Sequence, residues 1–202
     1  VDDSGNRKGS LLLTGSTALK ESERGKVRHT GTGRIARLTM RPMSLFESGE
    51  SSGKVSLLAL LDGKKVEPAR SETGLEDVAR WCVRGGWPAN LDLSDRAAAE
   101  TSSQYIKSVL DVNVIEERRS SETALALLRA LALNESQAAT YKTLAKDMAY
   151  GESGPDTKTI ASYLDLFDRL GLTEELYGWE PPMRAKARVR VKPKRYFCDP
   201  SL

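Results

Sequence analysis

The rhythm of apolar and polar positions changes three times along the chain. Leu11-Leu12-Leu13 is a short, continuously apolar run between the polar turn Asn6-Arg7-Lys8-Gly9 and Thr14-Gly15-Ser16. Such a run, closed by turn residues, predicts a strand buried in a parallel sheet. Residues 17–33 are polar and glycine-bearing, so a helical turn and a loop are expected there. Ile35 to Met40 alternates apolar and polar residues and predicts a second strand, stopped by Pro42. Ser44 to Ser48 reads as a short helical start and Gly49 to Gly53 as a loop, while 55–61 fits either helix or strand.

From Gly74 the period becomes helical. Leu75, Val78, Ala79, Cys82 and Val83 fall on one stripe. Gly85-Gly86 and Pro88 end that helix, and Ser94 or Asp95 caps the next, which carries Tyr105, Ile106, Val109 and Leu110. Ser121 precedes a helix with Leu125, Leu128, Leu131 and Ala132; Thr140 opens a second with Leu144, Ala145 and Met148. Asp156 caps a third with Ile160, Tyr163, Leu164, Phe167 and Leu170, which Gly171 terminates. A Pro181-Pro182 turn and a long alternating segment to Phe197 follow. Three helices and a two-stranded ribbon predict a winged helix-turn-helix.

Composition changes this picture little. Apolar residues are 39% and charged residues 29% of 202, which excludes a disordered or membrane-spanning class. With only Cys82 and Cys198, in unrelated contexts, neither a zinc site nor a disulfide framework is expected, and a reducing cytoplasm fits. His29, the single histidine, lies in no catalytic motif. The opening Val1-Asp2-Asp3-Ser4 is no signal peptide and lacks methionine, which raises the expectation of an excised domain.

Charge matters by position rather than by its net value of +3. Arg184, Lys186, Arg188, Arg190, Lys192 and Lys194 recur at every second residue, so a strand would project them from one face, with Ala187, Val189 and Val191 on the other. That ladder suits phosphates along a groove; it also suits a solvated wing whose charge blocks edge-to-edge aggregation. Thr157, Lys158 and Thr159 open the third helix, where helix-turn-helix proteins reach base edges, although Asp165 and Asp168 further along oppose a phosphate backbone.

Two segments imitate a phosphate-binding loop. Gly15 to Lys20 lacks the second glycine, and Gly49 to Lys54 is one residue short, with Val55 where a Mg²⁺-binding hydroxyl belongs. Neither has the glycine spacing that lets backbone N–H groups cradle phosphates, so this chain alone is not expected to bind ATP. Gly31-Thr32-Gly33-Arg34 is a tight turn before a strand and carries little by spacing alone.

Several of these stretches, taken in order, resemble one family. They are Leu11 to Ser16, Gly33-Arg34 to Leu38, Met40-Arg41-Pro42-Met43-Ser44 with Glu47, Gly85-Gly86-Trp87-Pro88, Thr159 to Leu172, and Pro193-Lys194-Arg195-Tyr196-Phe197-Cys198-Asp199-Pro200-Ser201-Leu202. The family is a bacterial and archaeal group of AAA-like ATPases with a C-terminal domain of unknown function. Ser201 departs from its usual glycine, and the phosphate-binding loop and acidic Mg²⁺ motif are absent.

The resemblance implies that Thr14 and Ser16 are sensor groups near the γ-phosphate and that Arg34 is an arginine finger or sensor. The implied fold class is mixed α and β, mostly α. Residues 1–50 would be the C-terminal part of an α/β P-loop ATPase core, 55–118 a helical lid or linker, 121–197 a winged helix, and 198–202 the start of a downstream domain. ATP and Mg²⁺ are the cofactors implied for the intact parent, and none is expected in this chain, which would be inactive alone. Implied partners are DNA through the winged helix, an N-terminal ATPase half, a C-terminal nuclease-like domain, and a second copy paired through exposed strand edges; no membrane is expected. Two alternatives stay open: a winged-helix DNA-binding module with a dimerising N-terminal half, and a protein-interaction adaptor that docks through Asp165 and Asp168.

Overall fold

The computed structural model describes residues 12, 14, 36, 38–149, 154–178 and 192–202. It is mixed α and β and mostly helical, with α1 (Leu57–Leu61), α2 (Leu75–Arg84), α3 (Asp95–Ser108), α4 (Ser121–Leu133), α5 (Tyr141–Met148) and α6 (Thr157–Arg169). A 3₁₀ turn spans Pro88–Asn90, and a π-helical segment, Val109–Val114, continues α3. Strands β1 (Thr173–Leu176) and β2 (Lys194–Phe197) form an antiparallel pair, with Glu175 opposite Arg195 and Leu176 opposite Lys194. Among the described residues no helix is long and apolar enough to cross a membrane.

Side-chain caps set the helix starts. Ser94, Ser120, Thr140 and Asp156 each accept a hydrogen bond from the backbone N–H three residues on. The cap before α4 is thus Ser120, one residue earlier than Ser121. Gly171 follows α6 at φ +68°, a left-handed turn that glycine adopts without steric cost.

One apolar core joins α4, α5 and α6 to the π segment. Leu127, Leu144, Ile160, Leu166, Phe167, Leu172 and Val114 are fully buried in it. Val109 and Leu110 belong to the same core, so the packing runs across residues 118–121, where lid and winged helix were expected to part. Tyr163 is tied to the chain preceding α4: its hydroxyl accepts from Ser120 N–H at 2.9 Å and donates to Ser120 C=O at 3.1 Å. The turn after α4 lies along β2, with Ser136 N–H on Arg195 C=O at 2.9 Å and Arg195 N–H on Gln137 C=O at 3.4 Å.

One expectation is corrected and two are refined. The strand expected over Ile35–Met40 is not formed at Leu38 to Met40; a strand persists only beside a partner, and none is present among the described residues. Leu12 is exposed and in no strand, while Leu11, Leu13, Ile35 and Arg37 lie outside the described residues. Residues 57–61 are helix, but Leu57, Leu58 and Leu61 are all exposed. The stripe on α2 forms yet covers no core, since Leu75 is 85% exposed and no residue of that helix is buried. A Tyr163→Phe variant should lose about 0.5–1.5 kcal/mol, because the Ser120 N–H loses its protein acceptor while Ser120 C=O keeps the Ala124 N–H at 3.0 Å; a lower urea midpoint at unchanged slope would register the loss.

Candidate functional site

Two features stand out, and the first brings remote segments together. After α2 the chain turns at Gly85, with φ +67° and ψ −171°, a conformation essentially restricted to glycine. An added Cβ there would lie 2.1 Å from Asp199 Oδ1. At Gly86 it would lie 2.4 Å from the backbone oxygen of Met43. The two glycines therefore admit one distant segment on each side. Met43 N–H donates to Gly86 C=O at 2.8 Å, and Gly86 N–H donates to Asp199 Oδ2 at 2.7 Å.

The buried Asp199 carboxylate also accepts from Ser201 N–H at 2.9 Å and Ser201 Oγ–H at 2.6 Å. Trp87 Nε1–H donates to Ser201 Oγ at 3.0 Å, and the Ser102 hydroxyl of α3 lies 2.9 Å from the same oxygen. The indole packs tilted on Tyr105, centroids 4.9 Å apart. Asn90, fully buried, holds Arg84 C=O through Nδ2 at 2.9 Å, while its Oδ1 has no partner among the described residues.

Arg84 completes this clamp. Its guanidinium pairs with Glu50, both largely buried, and that pairing, chiefly, holds the Glu50 carboxyl down at about 2. Ser44 and Glu47 brace the same segment through reciprocal hydrogen bonds, Ser44 N–H to Glu47 at 2.8 Å and Glu47 N–H to Ser44 Oγ at 3.4 Å. Three stretches thereby meet at one place: 42–50, 84–90 and 199–202.

The second feature is a cleft of about 490 Å³ between the chain entering α4 and the start of α6. Arg118, Arg119 and Lys158 line it with the hydroxyls of Ser120, Thr159 and Ser162, and among the described residues no carboxylate belongs to the lining. The Arg119 guanidinium stands 5.2 Å above the Tyr163 ring. Arg118 is left-handed at φ +55°.

Of the residues singled out in the sequence, Ser16, Arg34, Arg184, Lys186, Arg188 and Arg190 lie outside the described residues. Thr14 is exposed and in no helix or strand. Thr157 is exposed at the head of α6; Lys158 and Thr159 enter the cleft, which Lys192 and Lys194, exposed on the ribbon side, do not line. Arg195 ends the basic run but points inward. Buried, it pairs with Glu175 at 2.8 Å, donates to Ala139 C=O at 2.9 Å and stacks on Tyr141 at 5.3 Å. Asp165 is drawn toward Arg169 at 3.2 Å, while burial, followed by the nearby Glu175, Asp165 and Glu174, raises the Asp168 carboxyl. Arg118, Arg119 and Ser162 were missed because nothing in their spacing links 118–120 to 158–163; only the fold does.

The described loop that imitates a phosphate cradle, Gly49 to Lys54, is closed over by Phe46. A Cβ at Gly53 would lie 2.6 Å from the Phe46 ring, so that ring fills the bend. The N–H groups of Gly53 and Lys54 point to Ser51 Oγ and Ser52 Oγ, at 3.4 and 3.5 Å. Among the described residues there is also no cluster of three His, Cys, Asp or Glu able to hold a metal ion.

Fold and site define a mostly helical α/β module in which a glycine elbow clamps two remote segments beside a helical core. A family model matches residues 75–202, from the first residue of α2 to the end of the clamp, and the chain belongs to that family, DUF8612, a domain of unknown function. No curated protein and no solved structure matches the chain.

Two outcomes follow from the clamp. Gly85→Ala should cost at least ~1–3 kcal/mol, more if Asp199 is displaced, and would appear as a lower melting temperature. Because the Glu50 carboxyl sits at about 2 when folded against an ordinary 4.5, its pairing contributes fully above 4.5 and is lost as pH falls toward 2. The acid limb of a stability–pH profile should flatten over that window in Glu50→Gln.

Proposed function

We propose that this chain is the sensor, lid and winged-helix portion of an AAA-like ATPase, and that it passes nucleotide-driven movement of the core to the winged helix through the clamp. The observation that carries the reading is spatial. Three stretches resembling the family's motifs, at 40–47, 85–88 and 199–202, stand far apart in sequence yet bond to one another through Met43, Gly86, Asp199 and Ser201. An accidental resemblance gives no reason for such convergence.

Two further observations support it. Exposed apolar side chains gather on one stretch of chain, with Leu38, Met40, Leu57, Leu58, Leu61 and Leu75 all more than two-thirds exposed. A partner surface such as the rest of an α/β core would cover them. The order α4, Ser136–Gln137 against β2, α5, α6, then the β1–β2 ribbon is also how a winged helix is built.

In this reading Thr14, Ser16 and Arg34 act toward the γ-phosphate, while ATP and Mg²⁺ are held by a phosphate-binding loop upstream. The work of the described residues is mechanical. A shift of 40–44 pulls on Gly86 through Met43 N–H, and Gly86 N–H pulls on the buried Asp199 carboxylate. ATP hydrolysis by the full-length protein tests this. Arg34→Ala should lower turnover by about 100-fold or more, and the 202-residue chain should hydrolyse none. A full-length protein that neither binds nor hydrolyses ATP overturns the reading.

A further inference from the structure

We propose that the cleft between the chain entering α4 and the start of α6 seats a backbone phosphate of duplex DNA, with Arg118, Arg119 and Lys158 as its cations. The choice of duplex DNA as occupant rests on the winged-helix part of the reading above; it does not require the ATPase part.

The charge balance is the first ground. Among the described residues, three cations converge where no carboxylate lines the wall, and neither arginine has a carboxylate within ion-pair distance. Arg41, Arg80, Arg84, Arg169 and Arg195 each pair with an acid; among the described residues Arg70, Arg96 and Arg129 do not, but none of them lines this cleft. The acids of α6 that seemed to oppose a phosphate are otherwise engaged, Asp165 with Arg169 and Asp168 toward the β1 side; the cap Asp156 is engaged by Thr159 N–H at 2.6 Å and offsets part of the Lys158 charge.

Rigidity is the second. The Tyr163 hydroxyl bridges both backbone groups of Ser120, which fixes the distance between the two walls. Arg119 is held over the Tyr163 ring, so its planar fork is oriented before a ligand arrives. Ser120, Thr159 and Ser162 add hydroxyls of the kind that commonly meet phosphate oxygens.

Backbone conformation makes Arg118 separable from the fold. Arg118 N–H donates to Ile115 C=O at 2.8 Å and Arg119 N–H to Val114 C=O at 3.0 Å, closing the helix that ends the π segment. Arg118 is left-handed at that closure, a position where glycine is preferred. Ser136 adopts the same conformation at φ +60°, so the strain does not itself point to a ligand, but it means that a glycine in place of Arg118 removes the side chain without cost to the fold.

Free nucleotides are poor candidates for the occupant. The only aromatic ring among the described residues of the lining, Tyr163, is 6% exposed and Arg119 covers its face, so it offers no surface for a base to stack on. What is left is recognition of phosphate alone, on a surface continuous with the exposed Thr157, Lys158 and Ser162 of α6.

The test is fluorescence anisotropy of a labelled 20-base-pair duplex with the 202-residue chain, without ATP, from low to physiological salt. At about 0.9 in the salt slope per phosphate contact, a lost contact is worth roughly eightfold in affinity near 0.1 M salt. Arg118→Gly should therefore bind roughly eightfold more weakly, with a slope shallower by about one and a melting temperature equal to or above the native value. Arg119→Gln and Lys158→Gln should weaken binding similarly. No duplex binding at low salt overturns the proposal, and so does native affinity in Arg118→Gly and Arg119→Gln. A parallel titration with inorganic phosphate, followed by amide shifts, separates the sources: shifts at the cleft without duplex binding would leave a small-anion site in place of a DNA seat. ATP hydrolysis enters none of these readouts, so this proposal and the ATPase reading fail independently.

Discussion

Two backbones can approach each other only where neither carries a side chain in the way, and at Gly85 and Gly86 this limit organises the N-terminal half of the described fold. Because Gly86 has no Cβ, its carbonyl meets the Met43 N–H; because Gly85 has none, the Asp199 carboxylate can reach in from the far end of the chain. Asp199 is fully buried, and its charge is met by N–H and O–H donors from Gly86 and Ser201. A buried carboxylate is tolerable only with such donors in place. The elbow, the 42–50 turn and the C-terminal 199–202 segment are therefore interdependent, and Arg84, Asn90 and Trp87 act as struts that hold the elbow in shape.

The helical core on the other side is built by ordinary means. Capped helices bury one face each, and Phe167 sits at the centre. What is unusual is how charge is divided within a short basic stretch. Lys192 and Lys194 face solvent, whereas Arg195, next in line, goes inward to Glu175, Ala139 and Tyr141. Arginine suits that position because its fork serves a carboxylate and a carbonyl at once while its flat face covers a ring. A row of like charges in a sequence can thus hold members with opposite duties, and the strand's alternation decides which is which.

Local signals were legible in the sequence. The caps at Thr140 and Asp156, the stop at Gly171, the apolar faces of α4 to α6 and the solvent-facing phase of Lys192 and Lys194 all follow from neighbours within a turn or two. The stretches that meet in the clamp were visible as motifs, but their meeting was not, since Gly86 and Asp199 are separated by 113 residues. The cleft was half visible, with Lys158 and Thr159 foreseen and Arg118 and Arg119 hidden in a connection of no special pattern. The α2 stripe shows the converse: amphipathic spacing records that a helix can bury a face without saying what covers it. The strand expected over Ile35–Met40 marks the same limit at Leu38 to Met40, because alternation prepares a segment for pairing and only a neighbouring strand completes it.

The π segment after α3 has an effect on phase that reaches beyond its own residues. An α-helix turns by about 100° per residue, and a π segment accommodates extra chain in the same length of helix. It therefore sets the azimuth of everything before it relative to everything after it. Val109, Leu110 and Val114 are anchored in the core, while Ser102 and Tyr105 on α3 face Ser201 and Trp87. Removing a single residue from 109–114 would restore regular helical winding locally, yet rotate Ser102 and Tyr105 away from the elbow they touch. In this fold helix length works as an angular gauge, and chains that keep both the core and the clamp should vary less in the length of this segment than in its composition.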